Sequence, residues 1–128
     1  MTEPQIIYTD GSCSPNPGKG GWSFITFEDG QEWHVRGGDK NTTNNIMEIT
    51  AVIESIDFAQ KNDMVIYTDS KYVINCATNK WKRKVNVDLW RKYDEVSFGK
   101  NIEFMWVKSH TGDKYNEMVD ELAKKESK

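Results

Sequence analysis

The sequence is poor in cysteine and contains no long apolar run. Its two cysteines, Cys13 and Cys76, lie far apart and lack the spacing of a metal site, so we expect two reduced thiols. No apolar stretch approaches the roughly 20 residues that a membrane-spanning helix requires. The first four residues, Met-Thr-Glu-Pro, do not begin a signal peptide. We therefore expect a cytoplasmic protein without a membrane partner.

An excess of positive charge is also absent. The 20 aspartates and glutamates outnumber the 17 lysines and arginines, which gives a formal net charge of -3. Proteins that bind nucleic acids are usually basic, because they must neutralise phosphates. An acidic chain can still bind a nucleic acid when its basic side chains cluster locally and metal ions offset an acidic site. Whether this chain binds a nucleic acid therefore depends on local clusters of basic and acidic residues.

The hydrophobic pattern predicts one mixed α/β (α+β) domain over residues 1–128, a length at which a single core can form. Strands are expected at residues 5–9, 22–27, 32–36, 64–68 and 102–107. A turn is expected at 11–21, and Gly37-Gly38 should end the third strand. Helices are expected at 43–61, 72–76, 86–97 and around 118–123. Hairpins followed by strand–helix–strand crossovers predict a mixed sheet flanked by helices.

Two similar segments end two of the predicted strands. Tyr-Thr-Asp-Gly-Ser occupies residues 8–12, and Tyr-Thr-Asp-Ser occupies residues 67–70. If these strands are parallel neighbours, Asp10 and Asp69 meet at the carboxyl edge of the sheet, where ligands bind in open α/β sheets. Two carboxylates about 4 Å apart repel by roughly 4 kcal/mol at an effective dielectric of about 20. Although aspartate often begins turns, the repetition favours a site for a hard cation such as Mg²⁺.

Three further residues have structural and functional interpretations that their spacing does not separate. Asn45 and Glu48 fit a helix capping box, in which the glutamate bonds back to the helix start. Asp120, which we expect early in the last helix, suits the positive end of the helix dipole. His110 lies in a polar loop, where a histidine is usually only solvated.

Eight segments of the chain, in this order, resemble bacterial type 1 ribonuclease H; they occupy residues 8–12, 16–18, 20–21, 43–48, 67–70, 86–90, 106–110 and 116–123. The resemblance implies a ribonuclease H-like fold with a five-stranded mixed sheet. It also implies an enzyme that hydrolyses the RNA strand of an RNA/DNA hybrid and leaves 5′-phosphate and 3′-hydroxyl ends. Its four carboxylates would be Asp10, Glu48, Asp69 and Asp120, which hold two Mg²⁺ ions, with Mn²⁺ as a possible substitute. His110 would assist proton transfer or product release.

The resemblance further implies a surface that binds the hybrid. Small polar side chains would read 2′-hydroxyls in the minor groove, and they are Cys13, Ser14, Asn16, Asn44 and Asn45. Thr43 and Asn86 would form a pocket for a DNA-strand phosphate. The family's basic protrusion is shortened here to a basic cluster of Lys80, Trp81, Lys82, Arg83 and Lys84. Lys71 replaces an amide that is common in the family and would contact a phosphate.

Two other functions remain open at this stage. The chain could be another nuclease of the same superfamily, or a hybrid-binding module without catalysis. A module of the second kind should have lost a metal-binding carboxylate, whereas all four are present here. The asparagine-rich set around residues 16 and 44–45 favours a hybrid nuclease. From the family we expect a monomer without an obligatory protein partner.

Overall fold

The computed structural model describes residues 3–108 and 112–128, and the strands and helices in these ranges form one mixed five-stranded sheet flanked by helices. In chain order they are β1 (Gln5–Cys13), β2 (Gly18–Glu28), β3 (Gln31–Thr42), α1 (Asn44–Phe58), β4 (Asp63–Thr68), α2 (Lys71–Ala77), α3 (Val87–Ser97), β5 (Asn101–Trp106) and α4 (Lys114–Glu126). The strand order is β3-β2-β1-β4-β5. β1, β2 and β3 are antiparallel, whereas β4 runs parallel to both β1 and β5. The predicted mixed sheet is confirmed.

The main hydrophobic core lies between the sheet and the helices α1, α2 and α3. Ile49, Ile53 and Ile56 of the predicted helical stripe are buried in α1, and Trp90 of α3 is buried beside them. Burial of each such side chain stabilises the fold by about 1.5–3 kcal/mol. α4 contacts β1 and β2 and buries Val119 and Ala123. Within the described residues, no helix has the length and apolar character needed to cross a membrane.

Two strand boundaries that were predicted from glycines are wrong, because the strands continue through these glycines. β1 continues past Asp10 to Cys13, and β2 begins at Gly18, so the predicted turn at 11–21 is much shorter. β3 continues through Gly37 and Gly38 to Thr42 instead of ending there. A Cβ atom on Gly37 would lie 2.6 Å from the Trp22 ring, so this glycine accommodates a neighbouring side chain and does not break the strand.

The predicted start of α1 near residue 43 is correct, but its predicted cap and the predicted position of Asp120 early in α4 are wrong. Thr43, not Asn45, caps α1, because its hydroxyl accepts a hydrogen bond from the Ile46 amide at 3.2 Å. α4 begins at Lys114 with Asp113 as its cap, which places Asp120 well inside the helix. The helix-dipole explanation for Asp120 therefore does not apply, since the dipole acts mainly within the first turn.

Arg83 closes the short connection between α2 and α3. Its Nε donates to the carbonyl oxygen of Cys76 at 2.9 Å, which lies in the last turn of α2. Its Nη1 lies 2.7 Å from the carboxylate of Asp94 in α3, and its guanidinium is 5.1 Å from the Trp90 ring centroid. One side chain thus joins both helices, and the described connection contains no further helix.

We predict that Gly21→Ala will destabilise the protein by roughly 1–3 kcal/mol or more. A Cβ atom on Gly21 would lie 2.3 Å from the Ala123 carbonyl oxygen, so α4 would have to move away from β2. Urea unfolding measures the change. Gly30→Asn is the control, because Gly30 has open space and a positive φ of 75° that asparagine tolerates. Equal stability of Gly21→Ala and wild type would contradict the close approach.

Candidate active site

Three carboxylates from three separate elements meet at one edge of the sheet. Asp10 lies in β1, Asp69 directly follows β4, and Glu48 lies in α1. The parallel register pairs Tyr8 with Tyr67, so the two aspartates occupy equivalent positions at the ends of neighbouring strands. Each of the three residues offers one oxygen, and these oxygens lie within 4.8 Å of one another. The proximity of Asp10 and Asp69 expected from the repeated segment is present.

Gly11 allows Glu48 to reach this cluster. A Cβ atom at position 11 would lie 2.4 Å from the backbone nitrogen of Glu48, so only glycine lets α1 approach β1 so closely. The Glu48 side chain is buried, and its Oε1 has no hydrogen-bond partner among the residues that the structure describes. A capping role explains neither property, because Thr43 caps the helix and a capping glutamate is normally exposed to solvent.

Asp120 lies beside Asp10 but outside the 4.8 Å group, and its charge helps to raise the pKa of Asp10. Its carboxylate is 2.9 Å from the ammonium of Lys124, one turn further along α4. This hydrogen bond raises the pKa of Lys124. Lys124 was missed in the sequence, although the spacing of four residues between opposite charges on a helix is a usable signal.

The cluster is electrostatically unfavourable without a cation. Burial, together with the charge of the neighbouring Asp69, raises the pKa of Asp10 to about 8. Burial also raises the pKa of Glu48 well above its ordinary value, and Asp10 and Asp69 add to this effect. The donor set consists of hard oxygen atoms, and one buried oxygen is unsatisfied. These residues therefore fit a divalent cation that prefers oxygen ligands.

The polar residues predicted to contact the minor groove lie from the end of β1 into the β1–β2 turn and at the start of α1. The side-chain oxygen of Asn16 accepts a hydrogen bond from the backbone N–H of Asn44 at 3.2 Å. This bond joins the β1–β2 turn to the start of α1. Ser14 and Asn45, which lie close to these two residues in the sequence, are exposed to solvent. Cys13 differs, because its thiol is buried and donates to the carbonyl oxygens of two residues, Pro15 and Thr42.

The two residues predicted for the phosphate pocket have intramolecular contacts. Thr43 accepts the capping hydrogen bond of α1, as described above. Asn86 is half-buried with a left-handed φ of 57°, and its side-chain amide donates to the Tyr72 hydroxyl at 3.1 Å. Trp90 donates to the same hydroxyl at 3.3 Å. These bonds hold Asn86 rigidly at the start of α3, and the pocket itself stays a prediction.

The basic cluster divides into two parts. Lys80, Trp81, Lys82 and Lys84 are exposed on the connection between α2 and α3, with the Trp81 ring 51% accessible. Arg83 is engaged by the two helices and is much less available to a ligand. No local pattern of charges predicts this division.

Lys71 has an aromatic neighbour that sequence analysis did not identify. Its ammonium lies 4.7 Å from the centroid of the Trp106 ring, a cation–π distance. The Trp106 indole N–H donates to the backbone oxygen of Asp69 at 3.2 Å. Trp106 therefore braces the segment that carries a cluster carboxylate, and no local sequence pattern reveals a contact over this chain separation. His110, the remaining predicted site residue, lies outside the described residues.

The fold and the site define a mixed α/β protein with an acidic centre at the carboxyl edge of its sheet, whose oxygen atoms could hold a divalent cation. The sequence profile described as RNase H matches residues 2–128. Ribonuclease H of Wolbachia pipientis is 43% identical over 94% of this chain and 92% of its own length. Ribonuclease H of Francisella philomiragia is 41% identical over 94% of this chain and 88% of its own length. The chain belongs to the RNase H family.

Solved structures agree with this assignment at the level of the fold. The N-terminal RNase H domain of a Mycobacterium tuberculosis protein superposes with a TM-score of 0.87 and 21% identity, covering 98% of this chain and 94% of that one. LC11-RNase H1 in complex with an RNA/DNA hybrid has a TM-score of 0.77 and 21% identity, covering 94% of this chain and 97% of that one.

We predict that Asp10→Asn will stabilise the metal-free protein increasingly as pH rises from about 5 to 8. Between the ordinary pKa near 4 and the folded pKa of about 8, the folded state binds a proton that the unfolded state has released. Wild-type stability therefore falls with pH in this window, and asparagine removes that loss. Thermal unfolding in EDTA should show a gain in Tm of several degrees at pH 8 and almost none at pH 4.

Asp57→Asn provides the matched control, because Asp57 is an exposed aspartate of α1. Its effect on Tm should be the same across this pH range. Added Mg²⁺ should raise the Tm of the wild type at pH 8 more than that of Asp10→Asn, since binding to the folded state stabilises it. A stability difference between Asp10→Asn and wild type that does not change with pH would refute the electrostatic account.

Proposed function

We propose that this protein is an endonuclease that hydrolyses the RNA strand of RNA/DNA hybrids with two Mg²⁺ ions, leaving 5′-phosphate and 3′-hydroxyl ends. The observation that carries the proposal is the group of Asp10, Glu48 and Asp69, whose oxygens lie within 4.8 Å, with Asp120 beside it. Membership of the RNase H family supports the substrate. So does LC11-RNase H1, a structural relative that was solved with an RNA/DNA hybrid.

Each carboxylate has a distinct part in the proposed site. Asp10 interacts electrostatically with Glu48, Asp69 and Asp120, which supports a role as the shared ligand of both ions. Two bound ions would activate a water molecule and stabilise the leaving oxygen at phosphorus. Glu48 holds its unsatisfied oxygen rigidly because α1 is fixed against β1. Mn²⁺ can replace Mg²⁺ in this oxygen-rich set.

Two further residues have proposed roles that do not include binding a metal ion. His110, two residues after Lys108, is proposed to assist proton transfer or product release. Lys124 forms an ion pair with Asp120 and holds this carboxylate in one orientation near Asp10. We therefore assign Lys124 to the arrangement of the site rather than to a chemical step.

The hybrid would contact the protein on both sides of the carboxylates. On one side, Ser14, Asn16, Asn44 and Asn45 offer exposed polar groups for 2′-hydroxyls, and Cys13 supports the turn from within. Thr43 and Asn86 are proposed to contact a DNA-strand phosphate. On the other side, the exposed members of the basic cluster would neutralise phosphates, with Trp81 as an aromatic contact. Lys71, next to the acidic cluster in sequence, would contact a phosphate near the cleaved bond.

Residues 1–128 are proposed to act as one RNase H domain. Helices α1, α2 and α4 contact the same five-stranded sheet and α3 packs against α1, which supports the proposal. A cytoplasmic location, a monomeric state and the lack of an obligatory protein partner stay predictions from the sequence.

We predict metal-dependent cleavage of the RNA strand of a hybrid and of no other substrate tested. End-labelled RNA/DNA hybrid, single-stranded RNA, duplex RNA and duplex DNA would be incubated with Mg²⁺, Mn²⁺ or EDTA. Asp10→Asn should lower the rate by at least about 10³-fold, because it removes the proposed shared ligand. Asp57→Asn carries the same substitution at an exposed position and should cleave as the wild type does.

The pattern of cleavage separates the alternatives. Binding of the hybrid without cleavage would indicate a binding module. Cleavage of duplex DNA or of branched DNA would indicate another nuclease of the superfamily. Cleavage that persists in EDTA would refute the metal-dependent mechanism whatever the substrate.

We predict that Lys82→Gln and Arg83→Gln will affect different properties. Lys82 is exposed, so its loss should weaken hybrid binding and reduce the slope of log K against log salt by about 1. Arg83 is bonded to Cys76 and Asp94, so its loss should lower stability by roughly 1–3 kcal/mol. Fluorescence anisotropy across salt concentrations and urea unfolding measure the two effects. Equal stability losses in both variants would contradict the assignment of Arg83.

A further inference from the structure

Ser23 connects the strand pair that carries Asp10 to the helix that carries Asp120. It lies in β2 directly opposite Asp10 of β1. Residues that face each other in an antiparallel pair have side chains on the same face of the sheet. The Ser23 side chain is fully buried, and its hydroxyl donates to the carbonyl oxygen of Val119 in α4 at 2.6 Å. Val119 immediately precedes Asp120 in the chain.

The bond supplies a buried directional contact between α4 and β2. Val119 and Ala123 are completely buried, and Gly21 allows close approach to the Ala123 carbonyl. Apolar packing of this kind sets the distance between helix and sheet but is non-directional, so it does not fix the position of α4 along its axis. In the described chain, the Tyr115–Glu32 hydrogen bond and the Arg36–Glu126 ion pair also join α4 to the sheet, but both lie at the surface.

A buried serine can satisfy its hydroxyl without joining two elements. Ser55 is also completely buried, and its hydroxyl donates to the carbonyl oxygen of Val52 at 2.8 Å within α1. Ser23 instead donates to a carbonyl oxygen of a different element, at the turn that carries a proposed metal ligand. The hydroxyl of Ser55 therefore bonds within one helix, whereas the hydroxyl of Ser23 joins a strand to a helix.

We propose that Ser23 is a positioning residue of the active site, whose hydroxyl fixes the position of α4 and thereby the placement of Asp120 beside Asp10. The inference rests on the proposed function, in which both carboxylates hold divalent cations. Ser23 itself touches neither the cation nor the substrate. Ligand geometry must be held within about 0.5 Å for productive binding, so a small movement of α4 weakens the site.

The first test compares Ser23→Ala with Ser55→Ala, the matched control. Each variant loses one buried hydroxyl bonded to a helix carbonyl, so both should lower the urea midpoint by a similar amount. Ser23→Ala should lower kcat for hybrid cleavage by about 10-fold and raise the Mg²⁺ concentration for half-maximal rate several-fold. KM for the hybrid should change by less than about 2-fold. Ser55→Ala should retain wild-type kinetics, and equal kinetics in the two variants would overturn the proposal.

A second test does not depend on turnover. Calorimetric titration with Mn²⁺ would compare wild type, Ser23→Ala, Asp120→Asn and the double variant. If Ser23 acts through Asp120, Ser23→Ala weakens Mn²⁺ binding several-fold in the wild-type background and has no further effect in the Asp120→Asn background. Equal weakening in both backgrounds, or none in either, would overturn the proposal. A wild type that binds Mn²⁺ but does not cleave the hybrid would refute the proposed function alone.

Discussion

Repulsion between closely spaced carboxylates is the interaction on which the arrangement of this protein depends. Asp10, Glu48 and Asp69 come from β1, α1 and the end of β4, and burial together with mutual repulsion raises the pKa of the first two. Below a pH of about 8, a proton held on Asp10 reduces this repulsion. A bound divalent cation would offset the negative charges of these carboxylates. The same close spacing therefore makes the cluster unfavourable without a cation and favours binding of one.

Close packing holds the carboxylates in place, and small residues make it possible. Gly11 brings the backbone of α1 against β1, and Gly21 brings α4 against β2. The Ser23 hydroxyl adds a directional bond to α4 beside them. Each contact joins one strand, β1 or β2, to a helix that carries a carboxylate in or beside the cluster. Close backbone contacts, which only small residues allow, therefore hold this edge of the sheet together with hydrophobic burial.

Arg83 determines how the short connection between α2 and α3 presents its charges. Arg83 is held by Cys76, Asp94 and the Trp90 ring, which leaves the neighbouring lysines and Trp81 exposed. Arg83 thus stabilises the connection, and the exposed lysines of the basic cluster are free to contact the phosphates of a ligand. An acidic protein can present a local positive surface in this way without changing its net charge of -3.

The sequence by itself determined the order of elements and the meeting of Asp10 with Asp69, because hydrophobic period and a repeated strand end are local patterns. Resemblance to a family added Glu48 and Asp120, whose spacing alone was ambiguous. Only the tertiary structure revealed that β3 runs through Gly37, that Arg83 joins two helices and that Ser23 bonds to α4. These features depend on contacts between residues distant in the chain, and such contacts are set by packing, which no local pattern encodes.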